Sequence, residues 1–495
     1  MNLSFFKIEK LKLIFNNILN KFFLKLGFIF NILELSKFEV ELLKFKKLKK
    51  KKIISYSDQK KLFEKIKSLP GPIFLKEWED IIIEWENCNP NVFKKLEKYY
   101  SVRAENLKEM EISELNIDFI DKAIFTGSFG MPFHFQVYHE AKNLGFHDAK
   151  TFSLVDKTID QFPKKWSITN FSLFDYVNKF LTLIRDKKNI IKFKFLEKYL
   201  TIPISLAVPI KKKFLMVEIA KNVVNTEMYN RSINKPFLKL TDSDLTDARM
   251  LLKNLGIDQN KDWFVTLHAR ESGFHEKTKR EFFRNGDIND YFLAIDYIIK
   301  AGGKVVRVGD NSMSKIEEKE GLIDYANSKF KSEKLDIILA AKSKFSLVTS
   351  SGFFSIACLF NTPVILTNTS HSIVYYRLKK HDMFVPSILR DENKNRNLKL
   401  AEMMFPPYSI VNVDVEGKYK EWGLTYIKNT PEDILYAVEE MINRLKENNF
   451  EKLGKLQSIA QNTINRKQGI YSTEKIYAHG IFPEKFLAKH QYLIS

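Results

Sequence analysis

The second half of the chain contains the sequences DWFVTLHARE at residues 262–271 and FSLVTSSGFF at residues 345–354. Each begins with a short apolar run that is typical of a buried strand and continues with polar residues. Similar runs recur at residues 305–308 and 364–367, and helical patterns separate the four. This alternation predicts a doubly wound α/β domain with a parallel sheet and right-handed crossovers, running from about Asp262 to Asn368.

Polar or small residues follow every one of these predicted strands. Ligands of open parallel sheets bind beyond the carboxyl ends of the strands, so these residues are candidates for a binding site. They are His268, Arg270 and Glu271 after the first strand, Gly309 and Asp310 after the second, Ser350, Ser351 and Gly352 after the third, and Asn368 after the fourth.

Arg270 and the Ser350–Gly352 segment predict an anion site. A guanidinium offers a rigid fork of donors that matches phosphate oxygens, although Arg270 could instead pair with a carboxylate such as Asp287. Ser350–Gly352 precedes a helix, whose free amides attract anions, and the alternative is that serine simply caps this helix. Both alternatives stay open at this level.

His268, Glu271 and Asp310 are the candidate catalytic residues, because an imidazole or a carboxylate at this edge can accept a proton from a hydroxyl group. The sequence does not distinguish among the three, and His268 has a purely structural alternative. Arg284 is predicted to reach the ligand, and Asp287 to cap the following helix. Arg307 lies within a strand and must either pair or face the cleft.

A second Rossmann-like domain is predicted in the first half. The run Ala123–Thr126 is interpreted as a strand, followed by a glycine-containing turn from Gly127 to Gly130 and a helix from Pro132 to Leu144, with residues 202–209 as a later strand. The predicted organisation is a basic amphipathic segment (1–54), a helical region (55–115), an N-terminal Rossmann-like domain (116–245), a C-terminal Rossmann-like domain (246–445) and a helical tail (446–495).

Composition restricts the partners. The formal net charge is +20, and Met1 to Ile53 contains thirteen lysines against four glutamates. No apolar run reaches the ~20 residues of a membrane-spanning helix. The basic segment suits an anionic membrane surface or a helical hairpin packed on the body. No nucleic-acid-binding motif accompanies the charge. Cys88 and Cys358 form no disulfide framework, so we expect a cytoplasmic protein, at most peripheral to the inner membrane face.

Several motifs together resemble a bacterial family of glycosyltransferases that is catalogued largely by sequence. They are LHARESGFH at 267–275, RNGDI at 284–288, GGKVVRVGD at 302–310, IDYA at 323–326 and TSSG at 349–352. The His-x-Arg element also resembles the donor-binding motif of the fucosyltransferase-like enzymes with the two-domain GT-B fold. Glu271 stands where that pattern often has a second basic residue, so the resemblance does not extend to a fucose donor.

The resemblance implies a GT-B-like fold and a metal-independent transfer of sugar from a nucleotide-sugar to a glycan or lipid-linked acceptor in surface polysaccharide synthesis, with no cofactor. It implies Arg270 on the donor diphosphate with Ser350, Ser351 and Gly352 beside it, and Asp336 or Asp310 near the nucleoside. The turn of Gly127 and Gly130, followed by His134 and His139, would lie on the acceptor side.

Two other classes of function remain compatible with the same residues. One is another group transferase on the same scaffold, for example a pyruvyl transferase, and the other is a non-catalytic membrane-peripheral protein. Hydride transfer is disfavoured because the glycines after the strands do not form Gly-x-Gly-x-x-Gly.

Overall fold

The computed structural model describes residues 75–109, 116–121, 123–126, 129–155, 170–186, 190, 197, 200–271, 282–369, 372–410, 415–466 and 468–495. The predicted basic segment 1–54 and Gly127 lie outside them. Residues 73–187 and 200–495 form one compact unit, which contains everything that follows. Among the helices that the structure describes, none is both long and apolar enough to span a bilayer.

The N-terminal sheet is parallel and has four short strands in the order β3-β2-β1-β4. Two helices, α1 and α2, precede it, and α2 packs on a two-stranded hairpin of β5 and β6. The elements are α1 (Leu75–Glu86), α2 (Asn91–Glu109), β1 (Ile117–Ile120), α3 (Ala123–Thr126), α4 (Pro132–Asn143), β2 (Lys150–Leu154), α5 (Phe171–Val177), β3 (Thr182–Ile184), β4 (Thr201–Ile202), β5 (Ala207–Ile210) and β6 (Lys213–Met216).

Two predictions in this half were wrong. The run Ala123–Thr126 is a helical turn, and the first strand lies earlier, at β1. That strand contains a buried carboxylate, Asp118, which pairs with Arg103 (3.5 Å) and accepts a hydrogen bond from Tyr138 Oη (2.7 Å), so its apolar pattern is interrupted. The predicted strand at 202–209 is divided because a turn follows Pro203, whose carbonyl accepts from Ala207 N (2.9 Å).

The C-terminal sheet has six parallel strands in the order β12-β11-β10-β7-β8-β9. When the strands are numbered from β7 in order of appearance, this is the 3-2-1-4-5-6 order of a doubly wound α/β fold, so the predicted fold class is confirmed. Its elements are β7 (Trp263–His268), α8 (Phe292–Lys300), β8 (Gly303–Arg307), β9 (Leu322–Asp324), α9 (Glu333–Lys342), β10 (Ser346–Thr349), α10 (Gly352–Leu359), β11 (Val364–Thr369) and β12 (Met383–Pro386).

Helices connect the sheets and cover the second one. A small antiparallel sheet follows β12, in the order β14-β13-β15, and the C-terminal residues return to pair Ile481 with Met383 of β12. These elements are α6 (Val217–Asn230), α7 (Asp242–Asn254), β13 (Ile388–Asp391), β14 (Arg396–Asn397), α11 (Leu400–Met403), α12 (Val415–Glu421), β15 (Leu424–Ile427), α13 (Pro431–Glu447), α14 (Lys455–Asn465) and α15 (Glu484–Lys489).

A buried ion pair fixes α4 to α6. Lys221 Nζ lies 2.5 Å from Glu140 Oε2, and the two side chains are 1% and 8% exposed. Gln136 Nε2 donates to the other carboxylate oxygen of Glu140 (2.8 Å). Burial alone would raise the pKa of Glu140, but the charges of Lys221 and Lys379 outweigh it and hold the pKa below its usual value. The pair therefore determines where α4 lies.

Lys221→Met should lower the free energy of unfolding by about 3–5 kcal/mol, because it leaves the Glu140 carboxylate buried without its main counter-charge. Urea denaturation measures this loss. Adding Glu140→Gln should restore part of it, since a neutral amide remains hydrogen-bonded to Gln136. Arg231→Met is the control, because the exposed pair of Arg231 and Glu227 (46% and 26%) should contribute under about 1 kcal/mol. Equal losses for Lys221→Met and Arg231→Met would contradict the assignment.

Candidate functional site

The carboxyl edges of the two parallel sheets face each other. Helix α4 follows β1 and helix α10 follows β10, so both begin at such an edge, and their first residues are in contact. A Cβ atom placed on Gly352 would lie 3.1 Å from Gly130 N and 3.1 Å from Phe129 Cβ. A second contact joins α5 to α9, where Phe171 N donates to Glu333 Oε2 (2.7 Å). Two Rossmann-like domains facing in this way form a GT-B-like fold.

Two helix N-termini therefore converge at this contact. Ser351 is the N-cap of α10, and its hydroxyl accepts from Phe354 N (3.5 Å), which is the capping role that the sequence left open as the alternative to an anion site. The free amides of a first helical turn attract anions. Helix α4 begins with Pro132, and its next two amides, Phe133 N and His134 N, donate to Gly130 O (3.2 Å) and Met131 O (3.0 Å), so α10 is the end whose amides can serve an anion.

Arg270 lies at the point where the strand order reverses, between β7 and β10. Its backbone N donates to Thr349 Oγ1 at the end of β10 (3.1 Å), and its carbonyl accepts from Gly286 N (3.0 Å). Its Nη1 donates to Asn285 Oδ1 (2.5 Å), and the residue is 7% exposed. Arg284 precedes Asn285 in the same segment. The backbone and the side chain of Arg270 are thus both fixed at the switch point.

Asp287, the alternative partner considered for Arg270, has the capping role that the sequence predicted. Its Oδ1 accepts from Asn289 N (2.9 Å) at the start of the helical turn Ile288–Tyr291, which leads into α8.

Arg307 pairs, which was one of the two alternatives that the sequence left open. Its side chain is 0% exposed; Nη2 lies 2.5 Å from Glu271 Oε1, and Nη1 lies 3.2 Å from Asp324 Oδ1. Glu271 Oε2 also accepts from Ser314 N (2.8 Å). Two carboxylates neutralise this buried cation, so a donor phosphate would have to compete with both. Glu271 was predicted as a catalytic residue and Arg307 as a donor-binding residue, but each is held by the other in this ion pair.

His268 lies at the end of β7 with its ring parallel to that of Phe353, at a centroid distance of 6.2 Å. Burial lowers its pKa to about 4, and the charges of Arg270 and Arg307 act in the same direction, whereas Asp310 opposes them. The imidazole is therefore neutral at pH 7. A neutral ring suits hydrogen bonding to a ligand better than pairing with a phosphate charge.

Gly309 and Asp310 form the turn after β8. The backbone of Gly309 has φ +157°, and a Cβ there would lie 2.1 Å from Met313 Sδ, so a side chain at this position would displace the end of Met313. Asp310 Oδ1 accepts from Ser312 N (2.8 Å). In the part of the chain that the structure describes, no salt bridge engages Asp310, which distinguishes it from Glu271.

Asn368 is buried within the protein framework, contrary to its predicted role as a donor ligand. Its N donates to Asn429 Oδ1 (2.6 Å), its Oδ1 accepts from Asn429 N (2.8 Å), and its Nδ2 donates to Tyr291 Oη (3.2 Å). Every polar atom of the amide is used.

Asp336 lies in α9 and accepts from Lys331 Nζ (3.2 Å), while burial raises the pKa of its carboxyl.

On the acceptor side, the structure brings Gly130 and His134 to the facing edges. Burial lowers the pKa of His134 to about 3, and the charge of Arg377 lowers it further. His139 lies in an aromatic cluster, 4.8 Å from the ring of Phe180 and 5.7 Å from that of Phe237, which makes it a packing residue.

Sequence reasoning missed Arg377. Its guanidinium lies 4.6 Å from the centroid of the Phe133 ring and pairs with Glu218 (2.6 Å). It lies in the helical turn Ser372–Arg377, the next described segment after β11. The same strand-end criterion would have found it if the search after the fourth strand had extended beyond Asn368.

Four buried nitrogens near the facing edges have no hydrogen-bond partner among the described residues: His134 Nδ1, His268 Nδ1, Arg307 Nε and Arg377 Nε. Buried polar atoms in folded proteins are nearly always paired, with protein, water or a ligand. On both sides of this contact, polar atoms are thus left for water or a ligand to pair.

No protein-family model and no curated protein sequence matches the chain. Among solved structures, the chain is similar to the E. coli ADP-heptose LPS heptosyltransferase II, with 12% identity and TM-score 0.36 over 67% of this chain and all (100%) of that one. It is also similar to a glycosyl transferase family 9 protein from Veillonella parvula (10% identity, TM-score 0.36, 66% and 97% covered). A third is the iron-containing dodecameric glycosyltransferase TibC from enterotoxigenic E. coli (11%, 0.33, 67% and 76%).

Gly352→Ala should destabilise the protein by about 1–3 kcal/mol, because the new methyl group overpacks against Phe129 and Gly130. Helix propensity alone predicts the opposite sign, since alanine favours a helix over glycine by about 1 kcal/mol. Gly469→Ala is the matched control, because no atom lies within 4 Å of its added Cβ. Urea denaturation of both variants decides between the two signs; a stabilised Gly352→Ala protein would show that the two helix starts do not meet.

Proposed function

We propose that the chain is a glycosyltransferase that binds the diphosphate of a nucleotide-sugar between the carboxyl edges of its two Rossmann-like domains. The observation that carries this proposal is Arg270, held at the β7/β10 switch point by Thr349 and Asn285 beside the N-terminus of α10. Doubly wound sheets bind nucleotides at such a point, and a helix start is a ready anion site.

The chemistry needs a stabilised leaving group, because breaking the glycosidic bond of the donor places negative charge on the departing diphosphate. Arg270 and the amides at the start of α10 are fixed before the donor arrives, so they can stabilise this charge without reorganisation. We propose that these groups supply the charge that a metal ion supplies in other transferases. His268, neutral and with an Nδ1 that has no partner in the described part of the chain, would hydrogen-bond the donor.

The acceptor hydroxyl must lose a proton during transfer. Glu271 is engaged by Arg307 and Ser314, whereas Asp310 has no salt-bridge partner within the described residues and lies close enough to His268 to affect its pKa. We therefore propose Asp310 as the general base, with the acceptor entering from the side of Gly130 and His134.

The finer features of the proposal come from the sequence. The acceptor would be a glycan or a lipid-linked glycan in surface polysaccharide synthesis. The thirteen lysines of residues 1–53 would bring the protein to the anionic inner face of the membrane, from the cytoplasm.

Arg270→Gln should weaken the binding of a nucleoside diphosphate at least about tenfold, because charge-assisted contacts to phosphate are lost. Calorimetric titration with ADP, GDP, UDP and CDP measures this change and identifies the nucleobase that the site prefers. Arg249→Gln is the control, since Arg249 is an exposed arginine of α7. Unchanged affinity in Arg270→Gln would remove the central residue of the proposal, and equal weakening in both variants would indicate a general charge effect.

Asp310→Asn and Glu271→Gln should separate catalysis from folding. Asp310→Asn should lower kcat about 100-fold or more, as expected for loss of a general base, with little change in the melting temperature. Glu271→Gln should chiefly lower the melting temperature, because the buried guanidinium of Arg307 loses one of the two carboxylates that neutralise it. The measurements are the release of nucleoside diphosphate from the identified donor and a thermal melt. The reverse pattern would return the catalytic role to Glu271.

A further inference from the structure

A cavity of about 610 Å³ lies at the edge of the C-terminal sheet that is opposite to the facing edges. It is bounded by the C-terminal part of α6, the turn Asn361–Pro363 before β11, the loop of Lys379, Lys380 and His381 before β12, and the residues that follow α13. These turns precede the strands that carry the donor edge at their other ends. Because a six-residue strand is roughly 20 Å long, the cavity is a separate site.

Its lining is electropositive. Three lysines, Lys235, Lys379 and Lys380, face one lining carboxylate, Glu451. Lys380 pairs with Glu451 (3.0 Å), whose side chain is 77% exposed, so this pair lies at the open rim. Lys379 is buried and donates to Asn361 Oδ1 (2.5 Å). The adjacent Asp382 accepts from Val364 N (3.0 Å) and Lys379 N (2.8 Å).

Deep in the cavity wall is an acceptor without a donor. Asn225 is 1% exposed and its Oδ1 has no hydrogen-bond partner among the described residues. Its Nδ2 is directed to the carbonyls of Arg377 and Leu378, both at 3.4 Å, which fixes the orientation of the amide. Asn225 lines the cavity, and its buried carbonyl oxygen lacks the donor that buried polar atoms nearly always have.

Two aromatic residues, Tyr229 and Phe450, complete the lining. Tyr229 is held in place because its hydroxyl accepts from Lys380 N (3.0 Å), and its ring lies 5.0 Å from the Lys380 ammonium. The ring of Phe450 lies 6.4 Å from that of His381. The cavity thus combines flat apolar surfaces, a hydroxyl acceptor and cations, the few convergent polar groups that characterise ligand sites.

We propose that this cavity binds an anionic saccharide, a sugar ring that carries a phosphate or carboxylate group. The anion would lie against Lys235 and Lys379, a hydroxyl would donate to Asn225 Oδ1, and the ring would lie against Tyr229 and Phe450. The proposal concerns a site apart from the donor edge and does not depend on the proposed transferase activity. Such a saccharide can be a free sugar phosphate or part of an acidic glycan chain.

Titration of the full chain with glucose 6-phosphate, tetragalacturonate, glucose and inorganic phosphate tests the proposal. We expect one of the two anionic saccharides to bind at least about tenfold more tightly than either glucose or phosphate alone. Preference for glucose 6-phosphate would identify a free sugar phosphate, and preference for tetragalacturonate a glycan chain. Binding of neither, or equal binding of inorganic phosphate, would overturn the proposal.

Charge reversal locates the site. Lys235→Glu should weaken the preferred saccharide at least about tenfold, while Lys239→Glu should not, since Lys239 is exposed in the same segment and does not line the cavity. Lys235→Glu should also keep its affinity for nucleoside diphosphates. Arg270→Gln should keep its affinity for the saccharide. Loss of saccharide binding in Arg270→Gln but not in Lys235→Glu would place the saccharide at the donor edge and refute the separate site.

Discussion

The contact between Gly130 and Gly352 is the constraint on which the rest of the candidate site depends. Each glycine leaves space for the backbone of the other, and a methyl group on either would lie 3.1 Å or less from an atom of the opposite segment. This proximity brings the starts of α4 and α10 together, so that the positive ends of both helix dipoles can act on one anion. The buried pair of Lys221 and Glu140 keeps α4 in the position that this contact requires.

The C-terminal domain could be predicted from the sequence because local signals agree at every boundary. Each strand there is an apolar run with a polar end, and its neighbours are helices with recognisable caps and stops, such as Gly302 with φ +84° after α8. The N-terminal sheet has weaker sequence signals, because its strands have only two to five residues. A buried Asp118 inside β1 also hides the strand, and only the tertiary partners Arg103 and Tyr138 explain why a carboxylate lies there.

The candidate site, too, could be predicted where it depends on position along the chain, but not where it depends on tertiary contacts. Strand-end position correctly brought Arg270, His268 and Ser351 to one edge, since topology alone determines that edge. It could not show that Arg307 is neutralised by Glu271 and Asp324, or that Asn368 is paired with Asn429, because these partners are distant in sequence. The sequence could therefore not separate Arg307 and Asn368, which hold the fold together, from Arg270 and His268, which are proposed to bind a ligand.

The central claim is the location of the donor diphosphate, and a crystal structure of the chain with the nucleoside diphosphate that binds most tightly tests it most directly. The account predicts that the diphosphate lies at the β7/β10 switch point, with its oxygens within hydrogen-bond distance, about 3 Å, of the Arg270 guanidinium and the first amides of α10. A diphosphate bound elsewhere, for example in the cavity of Lys235 and Lys379, would contradict the account.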